Sequence, residues 1–393
     1  MSQGIEKNFN AYRLRLARYS HGLTKKDLAG RVGVSSLTLT RLEKGETQPQ
    51  FDTVRALVKV LDFPWTFFFE GSEEEYQGAD QPVIENLSFR SRSTLSVKDR
   101  NIAYATKNLG RILDEWIQQY FNLPKVALPD YSEYSDIEAA AMALRYEWGL
   151  GNQPVHHLLK LLEAKGVRIF CYAEPTERID AFSYWYNGIP YIFVNTKNSA
   201  ERIRFDLSHE LGHLVLHKNI EQYNDKGNTR ETIEKEANQF ASAFLMPEAD
   251  IRSQVFRSIA TMDFLIEAKQ RWQVSLAALA HRLAHLDIIS PWNYRMLIID
   301  MQKKGFRKEE PNPIPHEYSQ LWEKIFQELW KERVTRSDLA NRVHMTEKHL
   351  NKLVQGLLKT PEGHSDQKQI VALKVVDCKR GHSNKAPSNN WTR

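Results

Sequence analysis

Apolar positions in the first seventy residues recur at helical spacing in short bursts, each cut off by a turn residue. Phe9, Tyr12, Leu14 and Leu16 cluster before Gly22, and Leu28, Ala29 and Val32 run from Thr24 to Gly33. Leu39 and Leu42 follow Ser35 and stop at Gly45, and Val54, Leu57, Val58 and Leu61 run to Pro64. Thr24 and Ser35 are N-cap residues, because a hydroxyl oxygen can accept from a free N–H of the first turn. The pattern predicts short helices over residues 8–70, followed by an acidic linker at 70–75. Residues 83–125 read as a helical connecting segment, with Ile102, Leu109, Ile112, Leu113 and Trp116 as its packing face.

From about residue 131 the pattern becomes mixed. Helical segments at 137–148 and 155–165 precede Gly166. Apolar runs at 167–172, 181–186 and 191–194 follow, bounded by Pro175, Asn187-Gly188 and Pro190. Helices resume at Glu201 and continue to about 289. The charged stretch 303–310 and Pro311 to Pro315 read as a second linker, residues 316–358 as a further helical module, and the polar end after Thr360 as a loosely ordered tail. The expected division is 1–70, 71–130, 131–300, 314–359 and 360–393.

Composition excludes several classes. The 393 residues (45.7 kDa) are 41% hydrophobic and 26% charged, with a mean hydropathy of −0.53, which is ordinary for a soluble chain with a sizeable core. No apolar run approaches the ~20 residues of a membrane helix; residues 63–69 are the densest, and residues 1–10 hold no signal-peptide core. Two cysteines, Cys171 and Cys378, argue against a disulfide framework and for a reducing compartment, so a cytoplasmic location is expected. The net charge is +5, and eleven Lys/Arg against seven Asp/Glu in the first seventy residues place most of the excess there. Charge alone does not separate a nucleic-acid surface from a solvated one.

Two short helices joined at a glycine turn, the second capped by serine, make the helix-turn-helix pattern. Leu23-Thr24-Lys25-Lys26-Asp27-Leu28-Ala29, Gly33-Val34-Ser35 and Arg41-Leu42-Glu43-Lys44-Gly45 resemble the phage-repressor (Cro/XRE) family over about residues 8–70. The resemblance implies duplex DNA as partner, with the second helix in the major groove. Ser36, Leu37, Thr38 and Arg41 would face the bases, with Thr40 beside them. Arg41 suits guanine and Leu37 a thymine methyl. Lys25 stands where the family often has Gln, and favours a phosphate contact. The competing expectation is a module that recruits a protein instead.

His209-Glu210-Leu211-Gly212-His213 carries the sharpest chemistry. Residues four apart share a helix face, so both imidazoles can reach one Zn²⁺, with Glu210 beside them to accept a proton. Phe205, Leu207, Leu214 and Leu216 flank the motif as a buried helix requires. A catalytic zinc needs a third protein ligand and one open position. Asn219 stands where a metzincin would have His, and His217 reads as a packed or surface residue. A carboxylate of the next helix is the better source. Against its apolar stripe (Ile233, Ala237, Phe240, Ala241, Phe244), Glu236 lies nearer the centre than Glu234, and Glu231 points away. The margin of Glu236 over Glu234 is modest. His281 and His285 repeat the spacing, but Arg282 follows where a carboxylate would be needed, so they read as a chance surface pair.

Residues 204–213, Glu236-Ala237-Asn238-Gln239-Phe240-Ala241 and Leu245-Met246-Pro247, with 162–167 and 179–183 upstream, resemble the ImmA/IrrE family of zinc metallopeptidases over about residues 131–290. The resemblance implies a zinc metalloendopeptidase with His209, His213 and Glu236 as ligands and Glu210 as general base and acid. It also implies cleavage of a partner repressor, or of the chain itself, in a stress-response or mobile-element circuit. The fold class expected is multidomain and mainly α, with an α+β zincin-like peptidase domain behind an all-α head. A homodimer is a further expectation. The other class of function is a non-proteolytic repressor or antitoxin-like protein whose zinc domain senses or docks a partner.

Residues 334–343 align without gaps on 23–32, and Leu350, Lys352-Leu353 and Gly356 fall on Leu39, Arg41-Leu42 and Gly45. His344 takes the turn position of Gly33. This predicts a second helix-turn-helix whose second helix, capped by Thr346, bears Glu347, Lys348, Asn351 and Lys352. Glu347 would repel phosphate, so a protein-binding copy and a DNA reader are both open.

Overall fold

The head is set by capping chemistry that operates within single turns. In the computed structural model, which describes residues 8–71, 88–91, 96–172, 179–218, 229–255 and 261–359, α1 (Ala11–Ser20) begins where the Asn10 side chain accepts the Arg13 N–H at 2.8 Å. Helix α2 (Lys25–Val32) begins on a capping box: Thr24 Oγ1 accepts the Asp27 N–H, and the Asp27 carboxylate accepts the Thr24 N–H. Gly33 ends it at φ +79°, a left-handed conformation that costs glycine nothing. Ser35 caps α3 (Ser36–Glu43), and α4 (Phe51–Leu61) closes the bundle. The expected apolar faces are inside, and Phe63, Phe67 and Phe68 of the dense aromatic run join them.

A four-stranded sheet lies behind the head. Its order is β1 (Ser88–Ser91), β3 (Ile179–Tyr186), β4 (Ile189–Val194), β2 (Arg168–Cys171). Strand β3 is antiparallel to both neighbours, and β2 runs parallel to β4. The Asn187-Gly188 turn joins β3 to β4 with φ of +48° and +74°, the left-handed pair that suits a two-residue hairpin. Strand β1 departs from expectation, because its segment reads as helical connection in the sequence. Four residues without alternation become a strand only through pairing with β3.

Strand periodicity divides the sheet into two faces. Phe182 and Tyr184 point to one, where Gly110 of α5 (Val97–Tyr120) brings its backbone against Phe193; a Cβ there would fall 2.6 Å from the ring. Ser183 and Trp185 point to the other, toward α8 (Ala200–Leu216). Helix α5 also reaches the head, with Tyr104 edge-on to Tyr19 at 6.0 Å. Helices α6 (Ile137–Glu147), α7 (Leu158–Ala164), α9 (Arg230–Leu245), α10 (Glu248–Gln254), α11 (Met262–Trp272), α12 (Leu276–His285) and α13 (Pro291–Lys303) complete this part. Among the described residues no helix is long and apolar enough to cross a membrane. The 70–75 linker lies almost wholly outside the described residues, as does the 360–393 tail.

The second linker is not free chain. Glu310 pairs with Lys269 at 3.2 Å, the Ile314 N–H donates to Glu201 at 3.0 Å, and Glu317 meets Arg204. Beyond it, α14 (Gln320–Lys331) docks on the sheet, with Trp322 Nε1 donating to the Ile169 carbonyl at 2.9 Å. Helices α15 (Arg336–Arg342) and α16 (Glu347–Val354) repeat part of the α2–α3 pattern, but the expected Thr346 cap is not made, because its hydroxyl lies on His349 Nδ1 at 2.7 Å. Thr335 and Asp338 form a second capping box, and His344 makes the turn at φ +55°. The face of α16 is turned inward. His349 stacks on Phe63 at 3.9 Å between ring centroids, and Lys348 pairs with Asp62 at 3.3 Å.

Burial pushes the His349 pKa down to about 3, helped by the positive surroundings of His21, Lys352 and Lys348 and opposed by Asp62. The unfolded chain, with an ordinary histidine pKa near ~6.5, binds this proton more readily than the folded one. The contribution of His349 is therefore complete above about pH 6.5 and is lost as pH falls toward 3. Thermal melts from pH 7 to 4 should show a shallower acid loss for His349→Phe than for the wild type. Equal acid sensitivity in the two proteins would mean that another group controls this limb.

Candidate metal centre and DNA-facing helix

Helix α8 starts at the Ser199 cap and is buried along almost its whole length. Two side chains of β3 hold it on the sheet: Trp185 Nε1 donates to the Leu214 carbonyl at 3.0 Å, and Ser183 Oγ to Glu210 Oε2 at 2.6 Å. Helix α9 crosses it closely because Gly212 has no side chain; a Cβ there would lie 3.1 Å from Phe240. This crossing brings the two histidines of the motif to the carboxylates of α9.

The carboxylate that meets them is Glu234. His209 Nε2 and His213 Nε2 are 3.0 Å apart, and the Glu234 oxygens stand 3.3 Å from the first and 3.8 Å from the second. All three ligand atoms lie within 4.8 Å of one another. Donors about 2.0–2.2 Å from one tetrahedral centre are themselves roughly 3.3–3.6 Å apart, so the set fits a small divalent cation. The expectation of Glu236 at this place is corrected: its carboxylate lies on His217, at 2.9 Å from Nε2. The apolar stripe of α9 marks the direction of the core, whereas the histidine pair sits at the rim of that stripe. Asn238 shows which face is involved. It is four residues from Glu234, its amide donates to the Glu234 carbonyl at 2.8 Å, and its Oδ1 lies 3.1 Å from His209 Nδ1. That oxygen accepts the Nδ1 hydrogen, which leaves the lone pair of His209 on Nε2, facing Glu234.

Glu210 is buried between the motif and the sheet, its carboxylate fixed by Ser183. Ser183 lies within the upstream resemblance at 179–183, where nothing in the sequence pattern marks it as a partner of Glu210. A cavity of about 950 Å³ opens beside the site, with Glu234 and Asn238 on one wall and Phe205, Met301 and Phe306 among its apolar lining. His281 and His285 are both exposed and border the same cavity, and His285 Nε2 is 3.4 Å from Glu138.

On the head, Ser36, Leu37, Thr38 and Arg41 are exposed on α3, and Leu37 is 60% accessible despite being apolar. Thr40 is turned back on its own helix, its hydroxyl donating to the Ser36 carbonyl at 2.9 Å. Glu43 is buried and accepts from Arg18 at 2.5 and 2.9 Å, and Lys25 pairs with it at 3.6 Å.

Residues 11–65 match the family model described as a helix-turn-helix domain, and residues 162–284 match that of peptidase M78, described as an IrrE N-terminal-like domain. The chain thus joins a helix-turn-helix domain to an IrrE-like, peptidase-type domain. A search of curated proteins finds no match.

The arrangement of α3 separates two neighbouring residues. Arg41→Ala should cost roughly 1–3 kcal/mol of duplex binding and relax base selectivity at one position. Thr40→Val should leave affinity almost unchanged. Gel-shift titrations across operator variants distinguish them; a loss for Arg41→Ala that is uniform over all sequences makes Arg41 a phosphate contact.

Proposed function

We propose that this protein is a DNA-bound regulator that cleaves a partner protein at a zinc-dependent peptidase centre. The observation that carries the reading is the convergence of His209, His213 and Glu234, with Glu210 next in the motif and Glu234 also lining a large cavity. His209, His213 and Glu234 would hold the ion, which supplies Lewis-acid polarisation of the scissile carbonyl and a more acidic water. Glu210, steadied by Ser183, takes the proton of the attacking water and returns it to the leaving amine nitrogen. The apolar lining of Phe205, Met301 and Phe306 receives side chains of the substrate, for which a repressor-like protein is the expected class.

The head brings this activity to an operator, and a second copy of the chain would match a two-fold DNA site. This work suits the cytoplasm. The C-terminal helix pair serves as a packing module and not as a second reader. His349 occupies the place that Thr38 has in the head, and it is buried against Phe63. The peptidase unit then spans about 88–359, since β1 pairs within its sheet and α14 packs on it through Trp322.

Purified protein should hold one zinc per chain, and His209→Ala or Glu234→Ala should empty the site. Glu210→Gln should keep zinc and DNA binding and lose cleavage of co-encoded partners by about 10²–10⁴-fold. Cleavage, or regulation in cells, at the wild-type level by Glu210→Gln would sink the peptidase reading.

A further inference from the structure

We infer that His217 and Glu236 form a positioning pair that fixes the tautomer and ring plane of His213. The inference rests on the zinc reading above and adds the residues that aim one of its ligands. His217 Nε2 lies 2.9 Å from Glu236 Oε2, and His217 Nδ1 lies 3.0 Å from His213 Nδ1. A carboxylate oxygen accepts, so the hydrogen of His217 sits on Nε2 and its lone pair on Nδ1. Of the two facing Nδ1 atoms, that of His213 must therefore donate. The lone pair of His213 is left on Nε2, which faces Glu234 and the matching Nε2 of His209.

Both histidines of the motif thus present the same atom by different means. His209 is set by a neutral amide, that of Asn238. His213 is set by a carboxylate acting through a second imidazole. Water does not take over this task, because the side chains of His213 and His217 are only 3% and 1% exposed. His217 follows the last turn of α8, where its N–H donates to the His213 carbonyl at 3.0 Å. With Nδ1 and Nε2 engaged in this way, His217 supports a ligand and does not compete to be one. Helix α9 therefore grips His213 from both ends, with Glu234 before the ring and Glu236 behind it.

The test is zinc affinity, read by competition with a chromophoric chelator, together with the melting temperature of each metal-free variant. His217→Ala and Glu236→Ala should each weaken zinc binding by about 10–100-fold. Glu236→Gln should recover much of this, because its amide oxygen still accepts from His217 without the charge. The pair acts in series, so the double variant His217→Ala/Glu236→Ala should bind no more weakly than the worse single one. Additive losses in the double variant, or wild-type affinity in His217→Ala, would overturn the positioning role alone. Should His217→Ala fail to fold, Glu236→Ala against Glu236→Gln at the 21%-exposed rim position decides the same question, and equal affinities there would overturn it. A wild-type chain that holds no zinc would overturn this inference and the metal reading together.

Discussion

Helix α8 carries Glu201, Arg204, Asp206, His209, Glu210 and His213 inside the protein, and placing so many ionisable groups out of water is the constraint that organises everything around it. Each is met by a residue from another part of the fold or from the next turn. Glu201 is paired with Lys269 at 3.0 Å, Arg204 with Glu317, Asp206 with Arg202 at 3.8 Å, and Glu210 with Ser183. His209 has Asn238 and His213 has His217. Removing one member of a buried pair costs about 3–5 kcal/mol, since the other is left charged and dry. The helix is thus fixed from several directions, and the three donor atoms of the candidate centre lie within 4.8 Å of one another.

The head and the sheet share a wall. Helix α5 touches Tyr19 of the head at one end and lies against Phe193 of the sheet at Gly110. On the far side, α16 sets His349 on Phe63, while Gly356 just after it comes so close to Thr196 that no side chain would fit between them. The helix-turn-helix head is consequently held to the IrrE-like domain by two packed connections.

What could be read in the sequence was what residues decide among near neighbours. Thr24 with Asp27, Gly33, Ser35 and Asn187-Gly188 act within a single turn, and the helices and the break between apolar runs that they mark are present. The histidine spacing was legible for the same reason. Strand β1 was not, because its identity comes from a partner ninety residues away. Glu234 and Glu236 could not be told apart in this way because amphipathicity reports where the core lies, while one carboxylate faces His213 and the other meets the neighbouring ring of His217. Residues 303–315 read as a linker because charge and proline usually mark an exposed connection. Glu310 instead answers Lys269, and Glu317 just past the linker answers Arg204, both buried far upstream.

That last contact sets an order of events during synthesis. The ribosome releases the head first, and domains fold as units as they emerge. The groups that neutralise Arg204 and help neutralise Lys269 arrive only with residues 310–317, and the helix that covers the sheet at Trp322 later still. A nascent chain therefore acquires a competent DNA-facing surface well before its buried helix is electrically balanced. Fragments ending before residue 310 would carry the helix-turn-helix head with the IrrE-like half unfinished.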